Sequence, residues 1–287
     1  MDRREFLKAT AGGLATLVLS SRESVGQDID QEKELNSIRN DLEYHLGREI
    51  NDLAVEPISI GSGKPAYLCS LGFDVSSSGS SMTGLHTDKG IYFFRNGLEK
   101  SLRFMEELLY EDDPDNLVTQ RLIRREYQER QVPGDFVSYN MDPTNEDALI
   151  WLDAVHEKQH EKDTKQDDLP LRQAAQYIRK HHEKERQEYT GVPWVNLYEL
   201  AEERAMLAEL LFKGYEYYTM SHIISATRLD DDARFERQAA QIIIQYFDNR
   251  MQAAGIKEGQ YHCIKRKDIK AWAFDFAERY HPDMLEH

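Results

Sequence analysis

From about residue 96 onward, apolar residues recur three and four positions apart, and the chain reads almost wholly helical. The periodicity predicts helices over 97–110, 115–130, 145–163, 170–188, 194–213, 215–227, 231–254 and 267–280. Gln131–Pro143 is expected to be a loop, because Pro133-Gly134 and Asp142-Pro143 break the pattern. Ahead of this body stand three β-type runs, Val55–Ile60, Ala66–Val75 and Gly90–Arg95, separated by Gly, Pro and Ser. Ser76–Ser81 is expected to be a flexible tip. Before the first run, Leu35, Ile38, Leu42 and Leu46 keep helical spacing and end at Gly47, a helix stop. The expected class is α+β and mainly helical. Residues 35–287 form one domain, with a small α/β layer at 35–95 and a helical body at 96–287.

Composition narrows the partners. With 52 acidic and 36 basic residues the net charge is −16, which disfavours nucleic acid and anionic lipid. The two cysteines, Cys69 and Cys263, form no CxxC motif, so cysteine-based iron–sulfur, zinc-ribbon and c-type haem sites have no support. They either pair across a long loop or stay as two thiols. Gly61-Ser62-Gly63-Lys64-Pro65 lacks the glycine spacing and the helix-opening hydroxyl of a phosphate loop, so a turn is expected there.

The first residues carry a second kind of signal. Asp2-Arg3-Arg4-Glu5-Phe6-Leu7-Lys8 resembles the twin-arginine export signal, departing only at Asp2, where the family has a hydroxyl residue. The apolar stretch behind it, Ala9 to Ser21, is shorter than the roughly 20 residues that span a bilayer. The resemblance implies a signal peptide over 1–26, either cut after Gly26, with Ser24 and Gly26 as the small residues, or kept as an uncleaved membrane anchor, since the pair is not a clean Ala-x-Ala. A polar linker over 27–34 follows. It implies handling by the twin-arginine machinery and work in the periplasm, outside the cell or at its surface. No transmembrane helix is expected in the mature chain.

One constellation can carry chemistry. His156-Glu157-Lys158-Gln159-His160 matches the HExxH pattern. Residues i and i+4 share a helix face, so two imidazoles can grip one Zn²⁺. The intervening Glu157 can take a proton from the metal's water, as general base. Thr144 or Asn145 can cap the helix, and Leu149, Leu152, His156 and His160 fall along one stripe.

This pattern is similar to that of the zincin metallopeptidases, and the gluzincin-like branch fits better than the metzincin one. Asp163 and Gln166 stand where metzincins continue the motif. Gluzincin-like enzymes take a third ligand from a glutamate on a later helix. The run at 198–211 offers Glu199, Glu202 and Glu203. Glu199 is favoured, with Glu202 and Glu203 as alternatives. Lys158, Glu161, Lys162 and Asp163 depart from the family's preference for uncharged residues around the motif. The resemblance implies an exported zinc-dependent, peptidase-like hydrolase, in which a metal-bound water attacks a peptide carbonyl of a peptide or protein substrate. One of Tyr215, Tyr217, Tyr218 and His222 would then assist the oxyanion. The rival reading is a non-enzymatic, exported helical binding or cell-surface protein with a chance HExxH.

Overall fold

The computed structural model describes residues 25–60, 64–73, 75–77, 80–81, 83–110, 116–130, 146–190, 195–212, 214–230 and 233–285. The export motif at 2–8, the loop at 131–143 and the caps Thr144 and Asn145 lie outside these residues. The described chain is mainly helical and divides into two compact units, one running to Ser76 and resuming at Ser81–Glu99, the other covering Ser77–Ser80 and Lys100 onward.

The first unit is a helix on a small sheet. Helix α1 (Val25–Leu46) begins earlier than the apolar spacing predicts, and the expected linker at 27–34 is helical. Gly47 ends it as expected, with φ of 64° and its N–H returned to the Glu43 carbonyl at 2.9 Å. Strands β1 (Leu53–Ile58) and β2 (Ala66–Leu71) pair antiparallel, with Leu53 opposite Leu71. Strand β2 then runs parallel to β6 (Ile91–Phe94), and β5 (Gly84–His86) closes the edge antiparallel to β6. Sequence spacing missed β5, whose three residues are too few to show alternation. The short strands β3 (Ser76–Ser77) and β4 (Ser80–Ser81) pair where a flexible tip was expected. Ile38 and Leu42 of α1 cluster with Tyr67, Cys69, Leu71, Tyr92 and Phe94, the alternate residues of one sheet face. Asp41 fixes the docking, accepting from Thr87 Oγ1 at 2.7 Å and from the Tyr92 hydroxyl at 2.8 Å. Both cysteines are free thiols, so the pairing alternative is not realised; Cys69 is buried in this sheet and Cys263 is exposed.

The second unit is helical. Helix α2 (Arg95–Tyr110) leads into it, followed by α3 (Leu117–Arg130), α4 (Glu146–Asp163), α5 (Lys165–Thr190), α6 (Leu197–Leu211), α7 (Glu216–Ala226), α8 (Arg234–Ala253) and α9 (Arg266–Tyr280). Their bounds fall within a few residues of the periodicity. The largest difference is α5, which opens five residues before the expected start. Asp167 and Asp168 there have φ of 55° and 61°, so regular helix resumes only about Pro170, which suits a first helical turn. Helix α6 is central, packing against α4, α5, α7, α8 and α9. Its neighbours bury Met206, Leu207, Leu210, Tyr217, Ile223, Ile243, Phe247 and Phe276 in one apolar cluster. In α9, Ile269 and Phe276 are fully buried, whereas Phe274 is 47% exposed. No helix among the described residues is long and apolar enough to cross a membrane.

Candidate metal centre

Helix α6 opens cleanly: Asn196 caps it by accepting from the Tyr198 N–H at 2.8 Å. Along the helix, three sets of charged side chains turn to three partners. This explains how a buried helix can carry Glu199, Glu202, Glu203, Arg204 and Glu209.

The first set faces α5. Arg186 reaches Glu199 Oε1 at 3.0 Å and Glu203 Oε2 at 2.7 Å, and His281 Nε2 lies 2.7 Å from Glu203 Oε1. Burial opposes the charge on Glu203, but Arg186 and His281 outweigh it and hold its pKa down to about 2. Glu199 and Glu203 are therefore committed to an ion-pair cluster. The second set joins α6 to the end of α4. Arg204 Nε donates to both Asp163 oxygens, at 3.0 and 3.1 Å, and its terminal nitrogens reach Asp283 at 3.0 and 2.7 Å. The charge at Asp163, a departure from the zincin pattern in the sequence, is thus buried with a partner.

The third set faces the HExxH segment of α4. His156 and His160 bring their Nε2 atoms to 3.0 Å from each other. Glu202 places its two oxygens 3.5 Å from His156 Nε2 and 3.7 Å from His160 Nε2. One donor atom from each of the three lies within 4.8 Å of the others. Zinc bonds of 2.0–2.2 Å in a tetrahedron put neighbouring ligand atoms about 3.3 Å apart, and these separations bracket that value. The carboxylate that joins the imidazoles is Glu202. Glu199, favoured from the sequence, points to Arg186 instead, and so does Glu203.

Further groups surround the trio. Glu209, two turns beyond Glu202, has Oε1 2.7 Å from His156 Nδ1. That contact suits an Nδ1–H donor, the tautomer whose Nε2 can bind a metal once that nitrogen gives up its proton. Burial works against the charged imidazole of His156, but Glu202 and Glu209 outweigh it and raise its pKa. Burial lowers His160 to about 4, so it stays neutral. Glu157 is buried, and burial raises its carboxyl to about 8, with His156 opposing. His222 of α7 puts Nδ1 3.8 Å from Glu209 Oε2. Desolvation raises Glu236, at the start of α8, and the His222 imidazole opposes the shift.

Of the four aromatic-cluster residues named from sequence, two belong to the core. Tyr215 is buried beside Phe212, and Tyr217 donates to the Ile264 carbonyl at 3.0 Å. Tyr218 is on the site's side: burial raises its hydroxyl pKa strongly, with Asp153 and Glu209 adding to the shift. The sequence reading missed Glu209, Glu236, Arg186 and Arg204. Glu209 had a legible signal, since it follows Glu202 by seven residues and so shares its helix face. No protein-family model, curated protein or solved structure matches the chain.

Proposed function

We propose that the chain is an exported zinc-dependent hydrolase of peptidase type, with His156, His160 and Glu202 as the metal ligands. The observation that carries this reading is the convergence of two Nε2 atoms and a carboxylate at separations of 3.0, 3.5 and 3.7 Å. Two imidazoles and one carboxylate are a donor set that zinc takes in catalytic sites, with a fourth position left open. Each imidazole is 17% exposed and Glu202 29%, so solvent can reach the site. Bound zinc would supply Lewis acidity and acidify a water.

The protein's own side chains divide the remaining work. Glu209 accepts from His156 Nδ1 and fixes the ring's orientation. Glu157, next to His156 and buried, would take and return the proton once ionised. Tyr218 stays protonated and can donate to developing negative charge on a carbonyl oxygen. The likeness of the HExxH segment to gluzincin-like peptidases supports a peptide substrate, and the twin-arginine motif at 2–8 supports export before function.

The test is hydrolysis of quenched peptides and unfolded casein by zinc-loaded protein. Glu157→Gln is expected to keep the zinc and lose about 10²–10⁴-fold in rate. His156→Ala is expected to lose both. A wild-type protein that holds zinc but cleaves nothing, or a Glu157→Gln variant at full rate, contradicts the reading.

A further inference from the structure

The helical unit holds a shallow hollow, open to solvent and walled by α2, α3 and α7. We infer, resting on the hydrolase reading above, that this hollow receives a small uncharged aliphatic side chain of the substrate.

Its lining sets the chemistry. Phe104, Leu108 and Ile123 give an apolar wall, while Thr119, Ser221 and Ser225 give hydroxyls. Those hydroxyls are already engaged. Ser221 Oγ donates to the Tyr218 carbonyl at 2.7 Å, and Thr119 Oγ1 and Ser225 Oγ lie 3.4 Å apart. A guest therefore meets three hydroxyls that already have partners, and gains by removing the apolar surface of Phe104, Leu108 and Ile123 from water. No Asp, Glu, Lys or Arg lines the hollow among the described residues, and the one imidazole on its wall, His222, already faces Glu209 at 3.8 Å, so a charged guest would lose hydration without an unpaired counter-charge to meet.

Its place sets the role. Tyr218 and His222 line the hollow, and His222 is joined to Glu209 at 3.8 Å. Glu209 in turn holds His156 at 2.7 Å. Through those links the rim stands at most about 13 Å from the metal position, given zinc–nitrogen bonds near 2 Å. An extended peptide covers about 3.4 Å per residue, so a side chain a few residues from the scissile bond can reach it.

Tripeptide hydroxamates bound to the zinc-loaded full chain test this by calorimetry. The hydroxamate anchors on the metal, and triglycyl hydroxamate sets the baseline. Leu at one of the three positions is expected to tighten binding at least about tenfold, the lower end for burying such a side chain. Glu or Lys at that position is expected to give no gain. The Ile123 methyl resonance should shift only with the Leu compound. Ser101→Phe, which adds bulk to the lining, should remove the Leu gain and leave triglycyl binding unchanged. Ser225→Leu, which adds bulk from α7, should do the same and serves if Ser101→Phe fails to fold. Equal binding of Leu and Gly compounds at all three positions overturns the pocket alone, as does a Leu gain that survives in the folded variants. Failure of triglycyl hydroxamate to bind zinc-loaded protein overturns the hydrolase reading and the pocket with it.

Discussion

Replacing Arg186 with Met isolates the ion-pair cluster from the metal centre on the same helix. The guanidinium sits between Glu199 and Glu203, 3.0 and 2.7 Å from their oxygens, and all three side chains are at most 4% exposed. Without it, two buried carboxylates stand close together, offset only by His281 beside Glu203 and by Arg234 acting on Glu199. Breaking a buried pair by removing one partner costs about 3–5 kcal/mol, because the charge left behind has no partner. For a unit of this size that is a fall in Tm on the order of 10 °C. Urea denaturation followed by far-UV circular dichroism reads the loss directly. The gap should narrow as pH falls, because protonation neutralises the stranded carboxylates. Replacing all three residues with apolar ones of similar volume should recover most of the loss. Zinc content per folded molecule should be unchanged, since Glu202 faces the other way. A loss below about 1 kcal/mol would refute the reasoning, since exposed pairs contribute no more than that.

Further outcomes follow from other parts of the structure. Glu209→Gln weakens the hold on His156 and should reduce zinc affinity about 10- to 100-fold, read by competition with a chelating dye. Native protein should expose one thiol, Cys263, to a disulfide reagent at pH 8, and the second only on unfolding. Burial raises the Cys69 thiol from 9.0 to about 12. Its folded pKa exceeds its unfolded one, so its contribution is full below pH 9.0 and is lost as pH climbs towards 12; chemical denaturation across that window should show falling stability, less so in Cys69→Ala. Arg3→Lys with Arg4→Lys keeps the charge but removes the planar donor fork, and should leave the protein in the cytoplasm on fractionation.

The order of the helices was legible because apolar residues recur at helical spacing, strongly in α2 and α8, while the site helices α4 and α6 carry little one-sided apolar signal. Strand β5 and the early start of α1 were not legible, since three residues show no alternation and residues 25–34 carry little apolar signal. Within the site, the HExxH spacing located the histidine pair, since i and i+4 must share a face whatever the rest of the fold does. The third carboxylate was harder. Glu199, Glu202 and Glu203 lie within two turns of one helix, and helical geometry alone does not say which face meets α4. Arg186 and His281 make that choice, from 13 and 78 positions away along the chain, by claiming Glu199 and Glu203. Local spacing holds no record of such distant partners. The charged residues after the motif misled for the same reason, because Arg204, the buried partner of Asp163, comes 41 positions later.

The central claim is that Glu202, and not Glu199, completes a zinc site with His156 and His160. Elemental analysis of purified full-length protein, after exposure to a slight excess of zinc and removal of the unbound metal, measures it directly. The account predicts about one zinc per chain in wild type and in Glu199→Gln, and almost none in Glu202→Gln or in His156→Ala, with all four proteins folded. Zinc absent from wild type would contradict the account, as would zinc retained in Glu202→Gln but lost in Glu199→Gln.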